Sequence, residues 1–301
     1  MRTLIYYQKG NKRSQAVTQA LQSGIARLQG DEHVLMIDEA TYIQPLQADV
    51  VCFYGLAGNL MRLFRDYRRV GVETVFVDLG VWGRKGEPEP DFHRVAVNGY
   101  QPTPYFQSGY DPIRFANFRK SISPWQYTGD EVLIAGMSER ASQVWGLGSA
   151  TEHASMLVNM VRQYTDRPIA YRSKPSWEEA VAIPGTRYAM GPLDDELKRA
   201  WCTVSYRSNV AVDGLICGVP CFILGDHPAL TLSHQGTEST PYWGITTLTP
   251  NDLSRIEDPY RPDDPTRFEF CASLAWHQYS LREFRSGYAW KELRKHGWLK
   301  S

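Results

Sequence analysis

The chain has 301 residues, enough for about two ordinary domains or one large α/β unit. Hydrophobic residues make up 43% and charged residues 22%, which excludes an intrinsically disordered chain. Lys plus Arg and Asp plus Glu both number 33, so the formal net charge is zero. A purely electrostatic nucleic-acid binder is usually basic, so any such contact here must come from a local patch.

Apolar runs in the first third predict strands at 3–7, 33–37, 49–54, 73–77 and 92–97. Apolar residues at helical spacing predict helices at 14–28 and 59–70. Strands that alternate with helices in this order indicate a parallel sheet with right-handed crossovers. The stretch 99–130 is rich in Pro, Tyr and Phe, and we place the domain boundary within it.

A second alternating unit follows this stretch. We predict strands at 132–135, 168–171, 201–206 and 220–224, helices at 151–164, 194–200 and 208–217, a loop at 136–149 and a helical end at 267–293. The fold class is therefore α/β, with two Rossmann-like domains at 1–125 and 126–301 and a C-terminal helical segment. Ligands in such folds bind at the carboxyl ends of the strands, and we expect the cleft to lie between the domains.

Cysteine usage and apolar runs bear on the cellular location. Five cysteines without a CxxC pair predict free, buried thiols in a reducing compartment. No apolar run reaches the roughly 18 residues of a membrane helix, and the first residues are too short an apolar segment for a signal peptide. We therefore expect a cytoplasmic protein without a membrane partner.

The most informative segment runs from Ser205 to Pro220. Ser208 and Asn209 follow a predicted strand and open a helix, and Asp213 lies one turn further on the same face as Asn209. Such a helix start presents N–H groups and a positive dipole end to a phosphate, and the carboxylate can accept hydrogen bonds from sugar hydroxyls. A capped helix with an exposed Asp213 explains the same pattern.

This segment resembles the donor-binding motif of GT-B glycosyltransferases. The shared parts are a strand, the Ser-Asn pair, a helix with a carboxylate, the Gly-Val-Pro stretch and a following apolar strand. Capsule-polysaccharide and phage glycosyltransferases have related versions of this motif. The resemblance implies that Ser208 and Asn209 contact the donor diphosphate and that Asp213 holds a hydroxyl of the sugar or ribose. Asp213 stands where most members have Glu.

Other segments also resemble the phage-type members. These are Arg172-Ser173-Lys174-Pro175 after a predicted strand, the stretches around Asp78, Arg84 and 94–102, and the closing stretch 275–290. The resemblance implies a nucleotide-sugar as donor, with no other cofactor. In extended backbone Arg172 and Lys174 face the same way and suit a diphosphate, although a solvated turn is the alternative.

Further donor contacts are predicted at the ends of other strands. Met137 and Ser138 follow the first strand of the second half and are candidates for the base or the phosphates, unless they form an ordinary loop. Tyr206 ends the strand before the motif, and Asp226, with His227 beside it, follows the last predicted strand. The chain has no DxD motif and no His/Asp cluster at ligand spacing, so no metal site is predicted.

The first half is predicted to bind the acceptor. A hydroxyl acceptor must lose its proton, which calls for a base. Asp78, at the end of a predicted buried strand, is the first choice and His93 the second, although a loop cap and a surface histidine are the ordinary alternatives. Gly10, Asn11 and Arg84 are the predicted acceptor contacts.

The leading acceptor is a hydroxymethylated base in double-stranded phage DNA, which would place the protein in the host cytoplasm. The resemblance to phage glycosyltransferases, which often glycosylate hydroxymethylated bases in DNA, implies this acceptor. Basic residues with aromatic neighbours suit nucleic acid, although a solvated helix face and a packed linker explain them equally: Arg62, Arg65, Arg68, Arg69, Arg114, Arg119 and Lys120. A saccharide acceptor is the nearest rival. A nucleotide- or nucleic-acid-binding protein without catalysis and an epimerase are the other candidate functions.

Overall fold

The computed structural model describes residues 1–175, 177–233 and 253–300, and the chain divides into two compact units. One unit comprises residues 1–118 and 272–301, and the other comprises residues 119–271. None of the helices in the described ranges combines the length and apolar character needed to span a bilayer. The five cysteines form no disulfide.

The first unit contains a six-stranded sheet. Its strands are β1 (Thr3–Tyr7), β2 (Val34–Asp38), β3 (Val50–Tyr54), β4 (Glu73–Leu79), β5 (Phe92–Val97) and β11 (Gln278–Ser280). The strand order is β2-β1-β3-β4-β5-β11. The first four strands are parallel, whereas β5 and β11 are each antiparallel to their neighbours.

Helices cover both faces of this sheet. They are α1 (Lys12–Gln29), α2 (Leu60–Arg69), α3 (Ile113–Ala116), α9 (Leu281–Arg285) and α10 (Tyr288–Lys295). Alternate residues of β3 point to opposite faces, so Cys52 packs with α1 and the closing helices while Phe53 packs with α2. Gly24 of α1 has no space for a side chain, since a Cβ there would lie 1.8 Å from the carbonyl oxygen of Phe284.

The second unit contains a five-stranded sheet that is parallel throughout. Its strands are β6 (Glu131–Ala135), β7 (Ile169–Arg172), β8 (Arg187–Tyr188), β9 (Ala200–Ser205) and β10 (Cys221–Ile223). The order β8-β7-β6-β9-β10 is that of a Rossmann mononucleotide-binding sheet. Buried apolar runs such as Val132 to Ala135 form these strands because both faces are covered.

The helices of the second unit are α4 (Glu139–Val144), α5 (Ala150–Arg162), α6 (Leu193–Arg199), α7 (Val210–Cys217) and α8 (Asp264–Trp276). Leu157 of α5 packs on the face that holds Ile134 of β6. Leu197 of α6 packs on the opposite face, with Leu133. The boundary between the units at 271/272 falls within α8.

The structure differs from the sequence prediction in short elements. The predicted loop 136–149 contains α4, and the helical end 267–293 contains the strand β11. The first sheet was predicted to be parallel, but β5 turns back after the loop that follows β4 and is antiparallel. Elements of three to six residues have too few side chains to show a period in sequence.

The predicted domains, 1–125 and 126–301, also divide the chain differently from the structure. The closing segment, residues 272–301, belongs to the first unit because β11 pairs with β5 and α9 packs on α1. Arg114 holds this segment in place. Its Nη1 lies 2.7 Å from Glu283 Oε1, its Nε donates to the Ala275 carbonyl, and its Nη2 donates to the Gln278 carbonyl.

We expect Arg114→Met to destabilise the first unit by about 3–5 kcal/mol, because it removes the cation that pairs with Glu283 Oε1 and donates to two buried carbonyls. Urea unfolding followed by tryptophan fluorescence measures this change. Arg282→Met, on the exposed side of α9, is the matched control and should change little. Equal stability of the two variants would contradict this role of Arg114.

Candidate functional site

The predicted donor residues other than Asp213, which lies within α7, are found at the carboxyl edge of the second sheet. Met137 and Ser138 follow β6, Arg172 and Lys174 lie at the end of β7, and Asp226 follows β10. Tyr206, Ser208 and Asn209 follow β9. Because Ala135 pairs with Arg172 on one side and with Ser205 on the other, these loops start side by side along one edge.

Two neighbouring strands of this edge, β6 and β9, form the topological switch point. The connection after β6 includes α5, which packs on one face of the sheet. The connection after β9 is α7, whose Gly214 approaches Thr203 on the other face. Loops that leave a sheet toward opposite faces leave a crevice between them, where ligands of such folds bind.

Helix α7 begins as the sequence predicts. Ser208 Oγ accepts a hydrogen bond from the Val210 N–H at 3.3 Å, so it satisfies one of the first amides of the helix. Asn209 is the N-cap residue, and its Oδ1 lies 3.3 Å from His227 Nε2. Since His227 Nδ1 accepts from the Ala229 N–H, the proton of the neutral ring is on Nε2, which donates to Asn209.

The other end of α7 is fixed by Gly218, which adopts a left-handed conformation at φ 80° and donates to the Gly214 carbonyl. A side chain at Gly218 would also meet the carbonyl oxygen of Pro124 at 2.0 Å. Asp213 lies in the first turn of the helix and is half-buried. The Gly-Val-Pro stretch therefore ends the helix and starts β10, as the motif predicts.

The two predicted cations have different environments. Arg172 Nη1 donates to the Gly191 carbonyl at 2.6 Å and to the Ala189 carbonyl at 3.3 Å, so it holds the turn between β8 and α6. Lys174 is exposed, and its ammonium pairs with no carboxylate of the described chain. Lys174 is therefore the more available of the two for an anionic ligand.

The remaining predicted donor residues are largely covered by protein. Ser138 caps α4, with Oγ 3.4 Å from the Ala141 nitrogen, and Met137 packs against the core of the unit. Tyr206 is only 2% exposed, and its ring lies 5.5 Å from that of His153. Asp226 is half-buried in the turn after β10.

Arg207 also lies at this edge, although the sequence did not single it out. Its guanidinium carbon lies 3.6 Å from the centroid of the Trp145 ring, which follows α4. The stacking partner is about sixty positions away in the sequence, so only the fold reveals the pair. A cation directly after a buried strand, inside the motif itself, was the available signal.

In the first unit, Asp78 lies at the carboxyl end of β4 with 42% of its side chain exposed. Its Oδ2 lies 3.5 Å from Nη2 of Arg94, the residue opposite it on β5. Its Oδ1 accepts from the Leu79 N–H at 2.8 Å. Asp78 is thus a carboxylate that solvent reaches, and such a group can act as a general base.

The predicted acceptor contacts flank the same edge. Gly10 is exposed in the loop after β1, with φ 84° and open space where a side chain would be. Asn11 caps α1, since its Oδ1 accepts from the Ser14 N–H at 3.0 Å. Arg84 lies in the loop after β4, and its Nε donates to the Gly80 carbonyl.

His93 differs from its predicted role as an accessible second base. It is 0% exposed and lies between the rings of Tyr54 and Phe284, on the face of the sheet that α1 and the closing helices cover. Burial lowers the pKa of His93 to about 4, so the ring is neutral at pH 7. Asp78 is thus the only one of the two predicted bases with an exposed side chain in the described structure.

No group of three or more His, Cys, Asp or Glu side chains within the described ranges could hold a metal ion. Metal independence therefore remains a prediction from the sequence.

The two units and their strand orders define an α/β protein of two Rossmann-like domains. Two solved structures from Thermosulfurimonas dismutans share this fold. The KpsC beta Kdo 2,4 transferase has a TM-score of 0.51 at 10% identity, over 91% of this chain and 90% of its own. The KpsC beta Kdo 2,7 transferase has a TM-score of 0.50 at 12% identity, over 98% of this chain and 100% of its own.

The predicted class, two Rossmann-like domains of GT-B type with a closing helical segment, is thereby confirmed as a fold. The sequence matches no protein-family model and no curated protein.

The buried His93 should make the folded state sensitive to acid. In the unfolded chain His93 takes up a proton as the pH falls below the ordinary histidine pKa of about 6.5. In the folded protein His93 takes up that proton only near pH 4. Its contribution to stability is therefore complete above pH 6.5 and is lost as the pH falls toward 4. This difference in pKa between the folded and unfolded states corresponds to about 3 kcal/mol in the free energy of unfolding.

We expect His93→Phe, which suits the neighbouring Tyr54 and Phe284 rings, to flatten the decline of stability between pH 6.5 and 4. Urea unfolding across that range measures it. His33→Phe is the control because His33 is exposed. Identical pH profiles for His93→Phe and the wild type would show that His93 is accessible to protons in the folded state.

Proposed function

We propose that this protein is a glycosyltransferase that moves a sugar from a nucleotide-sugar to an acceptor hydroxyl. The observation that carries the proposal is the edge around β6 and β9, where a helix start, a hydroxyl, a carboxylate and cations lie together. The similarity in fold to two Kdo transferases over nearly the whole chain supports it.

The donor would bind to the second unit. The start of α7, with Ser208 and Asn209, offers a positive dipole end to a phosphate, and the exposed ammonium of Lys174 adds a charge. Asp213 would accept hydrogen bonds from a sugar or ribose hydroxyl. Because Arg172 donates to two backbone carbonyls, we assign it to the shape of the neighbouring turn instead of to the phosphate.

The acceptor would bind to the first unit, near Gly10, Asn11 and Arg84. Asp78 would take the proton from the attacking hydroxyl as its oxygen bonds to the anomeric carbon. The bond between that carbon and the phosphate oxygen breaks in the same reaction, and the nucleotide leaves with the electron pair. The Nη2 atom of Arg94 lies 3.5 Å from Asp78 Oδ2, so Arg94 would help to hold the carboxylate in position.

A saccharide hydroxyl is the acceptor that we favour. The similar structures are named for transfer of the sugar Kdo. Four of the seven basic residues behind the prediction of a DNA acceptor have partners in the first unit or are buried in it: Arg62 and Arg69 approach Asp66, Arg68 donates to Asn98, and Arg114 is buried. A hydroxymethylated DNA base therefore stays a second acceptor, to be tested in the same assay.

The donor assignment predicts that Asp213→Ala and Lys174→Ala each reduce sugar transfer roughly 10- to 100-fold, the effect of losing one charge-assisted hydrogen bond. Transfer is measured with a panel of nucleotide-sugars that includes nucleotide-activated Kdo, with saccharide or hydroxymethylated DNA acceptors, with and without EDTA. Asp194→Ala and Lys198→Ala, exposed on α6, are the matched controls. Full activity of both site variants would remove the donor site from this edge.

The same panel separates the rival functions. If the protein binds nucleotide-sugars but neither transfers the sugar nor slowly hydrolyses the donor, a binding protein is favoured. Conversion of the donor without any acceptor would favour an epimerase.

The base assignment predicts that Asp78→Asn lowers kcat about 100-fold or more and leaves the KM for the donor unchanged. The amide keeps the shape of the side chain but cannot take the proton. Steady-state kinetics with the donor found in the panel measure the effect. Asp31→Asn, an exposed residue just before β2, is the control. A kcat within twofold of the wild type would exclude Asp78 as the base.

A further inference from the structure

Arg207 carries a charge that no described part of the chain neutralises. Its Nε and Nη1 atoms are buried and have no hydrogen-bond partner, and no carboxylate of the described residues forms an ion pair with it. The guanidinium lies flat on Trp145, 3.6 Å from the ring centroid, and 5.4 Å from the ring of Tyr206. Aromatic faces attract a cation but do not satisfy its N–H groups.

The other arginines with buried guanidinium atoms differ from Arg207 in this respect. Each of them donates at least one hydrogen bond to an oxygen of the described chain: Arg68 to Asn98, Arg94 to Asp78, Arg114 to Glu283, Arg261 to the Pro259 carbonyl and Arg267 to the Leu215 carbonyl. A desolvated guanidinium without an acceptor is destabilising, so it points to an oxygen that the protein itself does not supply.

The position of Arg207 indicates which oxygens these are. It lies two residues beyond Ser205, which pairs with Ala135 at the switch point between β9 and β6. It is also three residues before the first residue of α7, whose amino end favours negative charge. The hydroxyl of Tyr206, a residue only 2% exposed, likewise has no partner within the described chain.

We propose that the N–H groups of the Arg207 guanidinium bind a phosphate of the donor nucleotide and that Trp145 is the positioning residue that holds the guanidinium plane. The phosphate comes from the nucleotide-sugar, so this inference rests on the proposed function. A planar fork of N–H groups matches two oxygens of a phosphate, and stacking on an indole fixes the fork before the ligand arrives. Arg207 therefore takes the role that the sequence assigned to Arg172.

Calorimetric titration tests the proposal with three probes. A panel of nucleoside diphosphates, such as UDP, first identifies the one that binds; the other two probes are the nucleoside of that diphosphate and inorganic pyrophosphate. We expect Arg207→Gln to weaken diphosphate binding roughly 10- to 100-fold and Arg207→Lys to weaken it less, since Lys keeps the charge but loses the fork. Binding of the nucleoside should not change. Arg65→Gln, exposed on α2, makes the same charge change elsewhere and should bind as the wild type does.

Two further readouts separate binding from a structural role. In the absence of ligand Arg207→Gln should melt no lower than the wild type, because it removes an unpaired buried cation. Trp145→Phe, which keeps an aromatic face, should retain more diphosphate affinity than Trp145→Leu, although Arg207 is present in both. A structural role predicts a lower melting temperature and an equal loss for nucleoside and diphosphate.

The outcomes distinguish this inference from the function on which it rests. If the wild type binds pyrophosphate through Arg207 but no nucleotide of the panel, the anion site stands and the nucleotide-sugar donor is overturned. If the wild type binds a nucleoside diphosphate and Arg207→Gln binds it equally well, the role of Arg207 is overturned and the donor site stands. If the wild type binds none of the probes, both are overturned.

Discussion

The handedness of the crossovers in the second unit determines where this chain can bind a ligand. Parallel strands are joined by right-handed connections, so the connection from β6 to β7 and that from β9 to β10 must use opposite faces of the sheet. Leu157 of α5 and Gly214 of α7 contact those two faces. The loops after β6 and β9 thus leave the sheet toward opposite faces, and in folds of this class the crevice between two such loops is where ligands bind.

Charge at this edge is divided between groups that the protein satisfies and groups that it leaves unsatisfied. Arg172 has carbonyl partners in the neighbouring turn, and Asn209 has the imidazole of His227. Among the described residues, the partners of the Arg207 guanidinium are aromatic rings alone. A polar group that is already bonded must break that bond before it can bind a ligand, whereas an unsatisfied group gains one. Whether a polar side chain already has a hydrogen-bond partner is therefore a better guide than its charge. A side chain with a partner in the chain stabilises the local structure, whereas one without a partner is the better candidate to bind a ligand.

Sequence periodicity accounts for the long elements and for the position of the motif. Helix α1 and strands β1 to β5 lie within a few residues of their predicted limits. Several turns of apolar spacing define the helix, and continuous apolar runs define the strands. The alternation of His93, Val95 and Val97 in β5 could have shown that His93 faces the core. The pairing of Arg207 with Trp145 could not have been foreseen, because it depends on which loops the fold brings together.

The last thirty residues have a role in the candidate acceptor site that composition does not show. Strand β11 extends the first sheet beyond β5, and Gln278 Oε1 accepts from the backbone N–H groups of Val81 and Trp82. Those two residues come shortly after β4, the strand that contains Asp78 near its end. Gly80, between the end of β4 and Val81, has no space for a side chain because the Phe92 carbonyl and the Gln278 side chain approach it. The buried amide of Gln278 therefore fixes the path of the chain as it leaves the proposed base. The closing segment, which the sequence prediction placed in the second domain, therefore supports the loop next to the proposed base in the first unit.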